Sequence, residues 1–247
     1  MKIVVIGGTG ALGSAVVAKL REDRYEAAPA SPRTGVDTIT GEGLEEALAG
    51  AAVVVDAANA PAWGDEEVLE FFRTSSRNLA AAAAKAGVRH YVAMSIVGAD
   101  RLPDSGYLRA KVAQEEVVRG AGIPYTIVRA TQFFEFIGRI ADSAGSDGPI
   151  HLPPALFQPA AVAELGAHVA AVAEGAPVDG VVEVGGPEPL RMDRAVARVL
   201  AAAGDPREVL ADPHARYFGT ELGDRSLVPG DGAHLTATNF DEWLGRR

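Results

Sequence analysis

The chain has 247 residues, 48% of them hydrophobic, a formal net charge of -10 and no cysteine. That length and apolar content suffice for one large core, while the negative charge repels phosphate backbones and anionic lipid and argues against nucleic acid or a membrane surface as partner. Without thiols there are no disulfides, thiolate metal sites or thiol nucleophiles, which suits a reducing cytoplasm and leaves any redox chemistry to a bound cofactor.

The opening MKIVVIGG carries an apolar run of only four residues before glycine, too short for a signal-peptide core or a membrane span, so a cytoplasmic protein is expected. KIVVI predicts a strand, and a helix is predicted over residues 12–20. The turn between them holds Gly8, Gly10 and Gly13 in GxGxxG spacing, and Gly7, Gly10 and Gly13 also satisfy GxxGxxG. Such a turn needs φ values that glycine adopts cheaply. The missing Cβ lets a pyrophosphate approach, and the helix N-terminus offers unpaired N–H groups to its charge. Placement directly after the first strand points to a dinucleotide rather than to a plain connector.

The next segment, APASPRTG, lies where an NAD-preferring site would place an acidic residue for the ribose 2′-hydroxyl. It offers Ser31 and Arg33, with no Asp or Glu among residues 27–36, so a 2′-phosphate meets a hydroxyl and a cation and NADP is the expected cofactor. The competing reading is a solvated turn built on Pro29, Pro32 and Gly35. AVVVDA predicts a buried strand running out to Asn59, which either contacts the adenosine half of the cofactor or closes the strand as an Asx-turn.

A helix over residues 66–86 ends at KAGV, and HYVAMS predicts the following strand with Ser95 at its end. A further helix over residues 107–120 begins with YLRAK, ends at RGAGIP, and leads into the strand YTIVRA. Short β-branched strands alternating with Ala-rich amphipathic helices predict a doubly wound parallel sheet. After about Arg129 prolines interrupt the rhythm, leaving VVEVG as a strand and residues 192–203 as a helix. This second half reads as a region that covers substrate and packs on the first sheet. RATQFFEF follows a strand end, so Gln132, Phe133 and Phe134, with Phe157 from LPPALFQP, are candidates to line the substrate pocket; core packing is the competing reading for the rings. DPHARYF is a weaker candidate to bring His214 and Tyr217 to the site. The histidines show no metal-ligand spacing, and no metal is assigned.

Tyr107 and Lys111, four apart on a helix, share a face. With Ser95 at the neighbouring strand end they form a constellation able to reduce a carbonyl. Lys111 would lower the Tyr107 pKa and hold the nicotinamide ribose, Tyr107 would donate a proton, and Ser95 would steady the substrate oxygen. The bland alternative is a packed tyrosine, a solvated lysine and a serine satisfying backbone.

GGTGALG, VVVDAAN, Ser95 and YLRAK, in that order, resemble the short-chain dehydrogenase/reductase superfamily in its atypical, NmrA-like branch of NAD(P)H-binding proteins. The stretches RNLAAAAAKAGVRHYVAMSIVG and GYLRAKVAQEEVVRGAGIPYTIVRATQFFEF are similar to the subgroup of NAD(P)-dependent oxidoreductases. The resemblance implies pyrophosphate contact at Gly7, Gly10 and Gly13, with Thr9, Ala11 and Leu12 supplying the turn and helix start. It also implies a catalytic or ribose-binding role for Tyr107 and Lys111.

The resulting expectation is a single α/β domain over residues 1–247, a Rossmann-type sheet in which 1–130 form the dinucleotide-binding core and 131–247 a smaller substrate-binding region. The expected activity is NADPH-dependent reduction of a small carbonyl or quinone-like molecule. The alternatives are an NADP(H)-binding redox-sensing regulator without turnover and an epimerase or isomerase that retains its cofactor. Nothing in the sequence fixes the oligomeric state.

Overall fold

A computed structural model gives the fold and describes residues 1–145 and 148–246. In its first half the chain forms β1 (Lys2–Ile6), α1 (Ala11–Glu22), β2 (Glu26–Ala30), α2 (Leu44–Leu48), β3 (Ala51–Asp56), α3 (Asp65–Ala86), β4 (His90–Ile96), α4 (Gly106–Arg119) and β5 (Tyr125–Ala130). The second half adds α5 (Ile137–Ala144), β6 (Ile150–Leu152), β7 (Leu156–Phe157), α6 (Val162–Glu174), β8 (Gly180–Gly185), β9 (Leu190–Arg191), α7 (Met192–Ala202), β10 (Val209–Ala211), β11 (His234–Leu235) and α8 (Phe240–Leu244).

Seven strands form one sheet in the order β11-β8-β5-β4-β3-β1-β2, every neighbouring pair parallel. The strands KIVVI, AVVVD, HYVAMSI, YTIVRA and GVVEVG are apolar and largely β-branched, as burial under helices on both faces requires. From β1 the chain winds outward to β2, then returns past β1 to β3 and winds the other way. This reversal opens a crevice at the C-terminal ends of β1 and β3.

Each face of the sheet has its own core. Val16, Val17 and Leu20 of α1 meet Leu165, Val169 and Ala170 of α6 over Val5, Val55, Val92 and Val128. On the opposite face Leu79 and Ala83 of α3 and Val118 of α4 cover Val4, Val54, Tyr91 and Ile127. Several elements were not read from the sequence, and two of them have a plain reason. The edge strand β2, EAAPA, has the small residues and proline of a loop and is held in the sheet by pairing with β1 alone. The helix α6 lies in a segment whose near-continuous apolar residues blur helical periodicity.

The chain beyond residue 131 serves two structures at once. β8, β11 and α6 extend and cover the main sheet, whereas α5, α7 and α8 enclose a separate apolar cluster with the short strands β6 and β7. Phe134 and Phe157, expected as pocket candidates, lie at the heart of that cluster at 1% and 0% exposure. The Phe134 ring stacks on Trp243 at 5.2 Å and tilts against Phe240 at 5.8 Å. These two rings are core, because the backbone after β5 turns Phe134 inward under α8 and away from the crevice. Phe134→Ala should therefore lower stability by about 3–5 kcal/mol in denaturant titrations and leave dinucleotide affinity at its wild-type value by calorimetry.

Candidate active site

The turn from β1 to α1 lies against the end of β3. Gly7 has a φ of +70°, and a Cβ there would sit 2.5 Å from the Ala57 carbonyl oxygen. A Cβ on Gly13 would fall 2.2 Å from the Gly7 carbonyl oxygen. The fold itself requires both glycines. Gly10 differs: it is exposed, and a Cβ would meet only the Gly7 carbonyl oxygen, at 3.3 Å, so its bareness leaves open room at the start of α1. Gly10 caps that helix without any side-chain hydrogen bond, and its first turn carries no acidic residue. The amides of Ala11 and Leu12 thus face this space with the positive end of the helix dipole behind them, a cradle fitted to a pyrophosphate.

The Thr9 hydroxyl donates to Ser31 Oγ at 3.0 Å, tying the glycine loop to the end of β2. Ser31 is the N-cap of a short turn over Pro32–Thr34, closed by a capping box with Thr34. On this turn Arg33 is exposed and makes no hydrogen bond or ion pair among the described residues. Asp37, the next carboxylate along the chain, accepts from the Ile39 and Thr40 amides at 2.7 and 3.3 Å, closing its own turn.

Beyond β3, Asn59 Oδ1 accepts from its neighbour's amide, Ala60 N, at 3.0 Å and from the Tyr107 hydroxyl at 2.9 Å. Asn59 therefore joins the glycine-loop side of the crevice to α4. Ser105 caps α4 by accepting from Leu108 N, which sets Tyr107 in the first turn. Tyr107 is half-buried, and enclosure of its hydroxyl pushes its pKa up to about 12 against the opposing hydrogen bond with Asn59, so the group keeps its proton at neutral pH.

Lys111 follows one turn later on the same face but points inward. Its Nζ lies 4.2 Å from the Phe72 ring centroid and donates to Gln114 Oε1. Gln114 Nε2 in turn donates to Asp56 Oδ2 at 2.8 Å, and the Tyr91 hydroxyl donates to the same oxygen at 3.2 Å. Burial brings the Lys111 pKa down to about 8, with the charges of Asp56 and Glu115 resisting the fall. The expected tuning of Tyr107 by Lys111 is thus absent from this geometry, since the tyrosine is raised by burial and balanced by Asn59. Ser95 also departs from expectation. Its hydroxyl is buried and donates to Glu115 Oε1 at 2.6 Å, because a carboxylate enclosed between α4 and the sheet is a stronger acceptor than any neutral group nearby.

Past β5, the Gln132 side chain lies near the Tyr217 hydroxyl, while Gln132 Oε1 and Thr131 Oγ1 are buried without a partner among the described residues. Phe133 is half-buried, edge-on to Phe136 at 5.4 Å, and packs on the α1/α6 side of the sheet. The Tyr107 ring is surrounded by aromatics the sequence reading did not single out: Phe72 at 6.0 Å, Trp63 at 5.6 Å and Phe218 at 5.6 Å. Tyr217 and Thr220 pair across a hairpin whose tip residues, Phe218 and Gly219, have φ of +46° and +82°. A phenylalanine in that left-handed conformation costs about 1–3 kcal/mol. His214 of the same segment points away, its exposed ring 3.7 Å from Glu221.

Residues 7–136 match the profile of a family described as NAD(P)H-binding. The (4-alkanoyl-5-oxo-2,5-dihydrofuran-3-yl)methyl phosphate reductase of Streptomyces griseus is 29% identical over 223 residues, spanning 83% of this chain and 74% of that one. Among solved structures, a short-chain dehydrogenase/reductase superfamily protein from Agrobacterium tumefaciens with bound NAD superposes with a TM-score of 0.72 at 18% identity, over 100% of this chain and 95% of that one. An NADPH-dependent quinone oxidoreductase of Escherichia coli gives 0.70 at 18% identity, over 99% and 98%. The parallel sheet, its glycine turn and the matched profile agree with the resemblance read from the sequence: the fold is that of the short-chain dehydrogenase/reductase superfamily, and the chain belongs to the NAD(P)H-binding family.

Proposed function

We propose that the protein is an NADPH-dependent reductase of a small carbonyl or quinone-like substrate, with Tyr107 as its proton donor. The observation that carries this reading is the Tyr107 hydroxyl held by Asn59 at 2.9 Å beside the strand end on which the glycine loop rests. The dinucleotide, when bound, supplies a hydride. Gly7, Gly10 and Gly13, with Thr9, Ala11 and Leu12, would hold its pyrophosphate, and Ser31 and Arg33 its 2′-phosphate. Gln132 Oε1 and Thr131 Oγ1, buried acceptors without a donor among the described residues, suit the amide protons of the carboxamide.

Reduction of a carbonyl leaves negative charge on the substrate oxygen. A tyrosine with a pKa near 12 remains a stronger acid than the alcohol being formed, so transfer of its proton to that oxygen runs downhill. Lys111 would hold the ribose after its ammonium leaves Gln114. Similarity to a curated reductase supports reduction as the direction of reaction. The second reading, a redox-sensing regulator, draws support from the inward docking of Lys111, whose ammonium goes to Gln114 and the Phe72 ring.

Tyr107→Phe should lower turnover by about 10²- to 10⁴-fold while NADPH affinity holds, measured as NADPH oxidation across quinones, enones and aldehydes. A wild type inactive toward every class, with cofactor affinity altered in the variant, would favour the regulator. Arg33→Ala should weaken NADPH by about 1–3 kcal/mol and NADH hardly at all; equal affinities for the two in the wild type by calorimetry would overturn the assignment of NADP. Lys111 is charged below about pH 8 and neutral above it, so dinucleotide affinity should fall as pH rises through that value. Lys111→Met should bind more weakly at pH 7 and show no such step.

A further inference from the structure

We propose that Trp63 and Phe218 form an aromatic clamp over Tyr107 that receives a flat conjugated ring of the substrate. The proposal rests on the reductase reading for the carbonyl group on that ring, but the clamp itself follows from the rings. Trp63 stands on the loop between β3 and α3 and is 60% exposed; Phe218 stands at the tip of the 217–220 hairpin and is 38% exposed. Two loops 155 positions apart in sequence thus bring their exposed aromatic side chains to the same tyrosine. Their centroids are 5.7 Å apart with an interplanar angle of 27°, and Phe218 stacks on Tyr107 at 25°.

Neither ring is there to fill a core, since both stay substantially in water. Phe218 adds a second argument. Two consecutive positive φ values at a hairpin tip call for Asn-Gly or Gly-Gly, and here a phenylalanine takes the first place. The conformation directs the ring across Tyr107, and Tyr217 braces it edge-on at 4.7 Å. Strain retained in an exposed side chain that lies over a proton donor marks a binding surface better than a folding requirement.

The spacing selects the ligand. A flat ring between two others needs about 7 Å from one outer ring to the other, two layers of carbon contact, against the 5.7 Å present. A widening of about 1 Å by either loop admits a planar ring, whereas a saturated, puckered ring needs more and loses the stacking. Gly219 and Thr220 of the hairpin also border an open polar depression with Asp104, Arg216 and Glu221, so that side of the hairpin faces solvent. A ring held there lies beside the Tyr107 ring, which stands 5.6 Å from both walls, and a ring carbonyl turned to the Tyr107 hydroxyl would take its proton.

Menadione, a planar quinone, is the probe, titrated into protein loaded with NADP+ so that binding proceeds without turnover and is read by equilibrium dialysis. Phe218→Asn and Trp63→Ala should each weaken menadione by about tenfold, the scale of a lost aromatic stack. Phe218→Asn should at the same time hold or raise the melting temperature, because asparagine suits the turn; a residue needed only for folding would lower it. Absence of saturable menadione binding to the wild type, or wild-type affinity in both variants, overturns the clamp. Weakened binding in the variants of a protein that never oxidises NADPH keeps the clamp and removes the reductase reading instead.

Discussion

Enclosed between α4 and the sheet, the Glu115 carboxylate accepts from Ser95, from Arg119 at 2.9 Å and from both Nε and Nη2 of Arg129 at 2.8 Å. Arg129 extends the network to Asp100 at 2.7 Å. Burial pushes the Glu115 carboxyl up, but these donors outweigh it and hold it below the usual carboxylate range. A buried pair of this kind adds little net stability compared with apolar packing, yet losing one member leaves a charge stranded at a cost of about 3–5 kcal/mol. Its effect is to fix α4 along and around its axis against β4 and β5. Tyr107 and Lys111 ride on that helix, about two turns and one turn earlier, so the crevice inherits its geometry from a charge cluster that does not touch it.

A second polar group lies under the middle of α4. Asp56 ends β3 and receives Gln114 and Tyr91, with Lys111 bound to Gln114. Burial acts in opposite senses on the two residues of the YLRAK motif, up for the phenol and down for the ammonium, since each moves toward its neutral form. The ligand-free pair is therefore less charged than the same residues in water. Anionic phosphates arriving at α1 would favour the charged form of a nearby ammonium, which gives cofactor binding and the protonation of Lys111 the same sign.

Much of the frame was legible in the sequence because the signals were local. The run KIVVIGGTGALG contains the strand, the glycines and the helix start in one piece, and the cradle at Gly10 follows from those letters. Tyr107 and Lys111 fell on one helical face as their spacing required. What failed depended on partners distant in sequence. Ser95 looked free until Glu115, twenty residues on, came to lie against it. Phe133 and Phe134 are adjacent, and only the path of the chain after β5 decides that the second turns into the α8 cluster. Trp63 carried no motif, and in DPHARYF the reading fell on His214 and Tyr217 rather than Phe218, since a left-handed phenylalanine leaves no mark in the letters around it. The strand EAAPA was hidden by composition, its place secured by pairing rather than by propensity.

That same strand decides how the sheet ends. In β2 the Ala30 carbonyl turns inward to Gly8 N at 3.3 Å, which by strand alternation aims the neighbouring peptide groups at Pro29 outward, where proline offers no amide proton. At the opposite margin β11 is only two residues long. The β2 border thus lacks an unbroken row of donors and acceptors on which a foreign strand could template. A sheet of seven parallel strands, rich in valine and isoleucine, is thereby guarded along its β2 margin against growing into a neighbour.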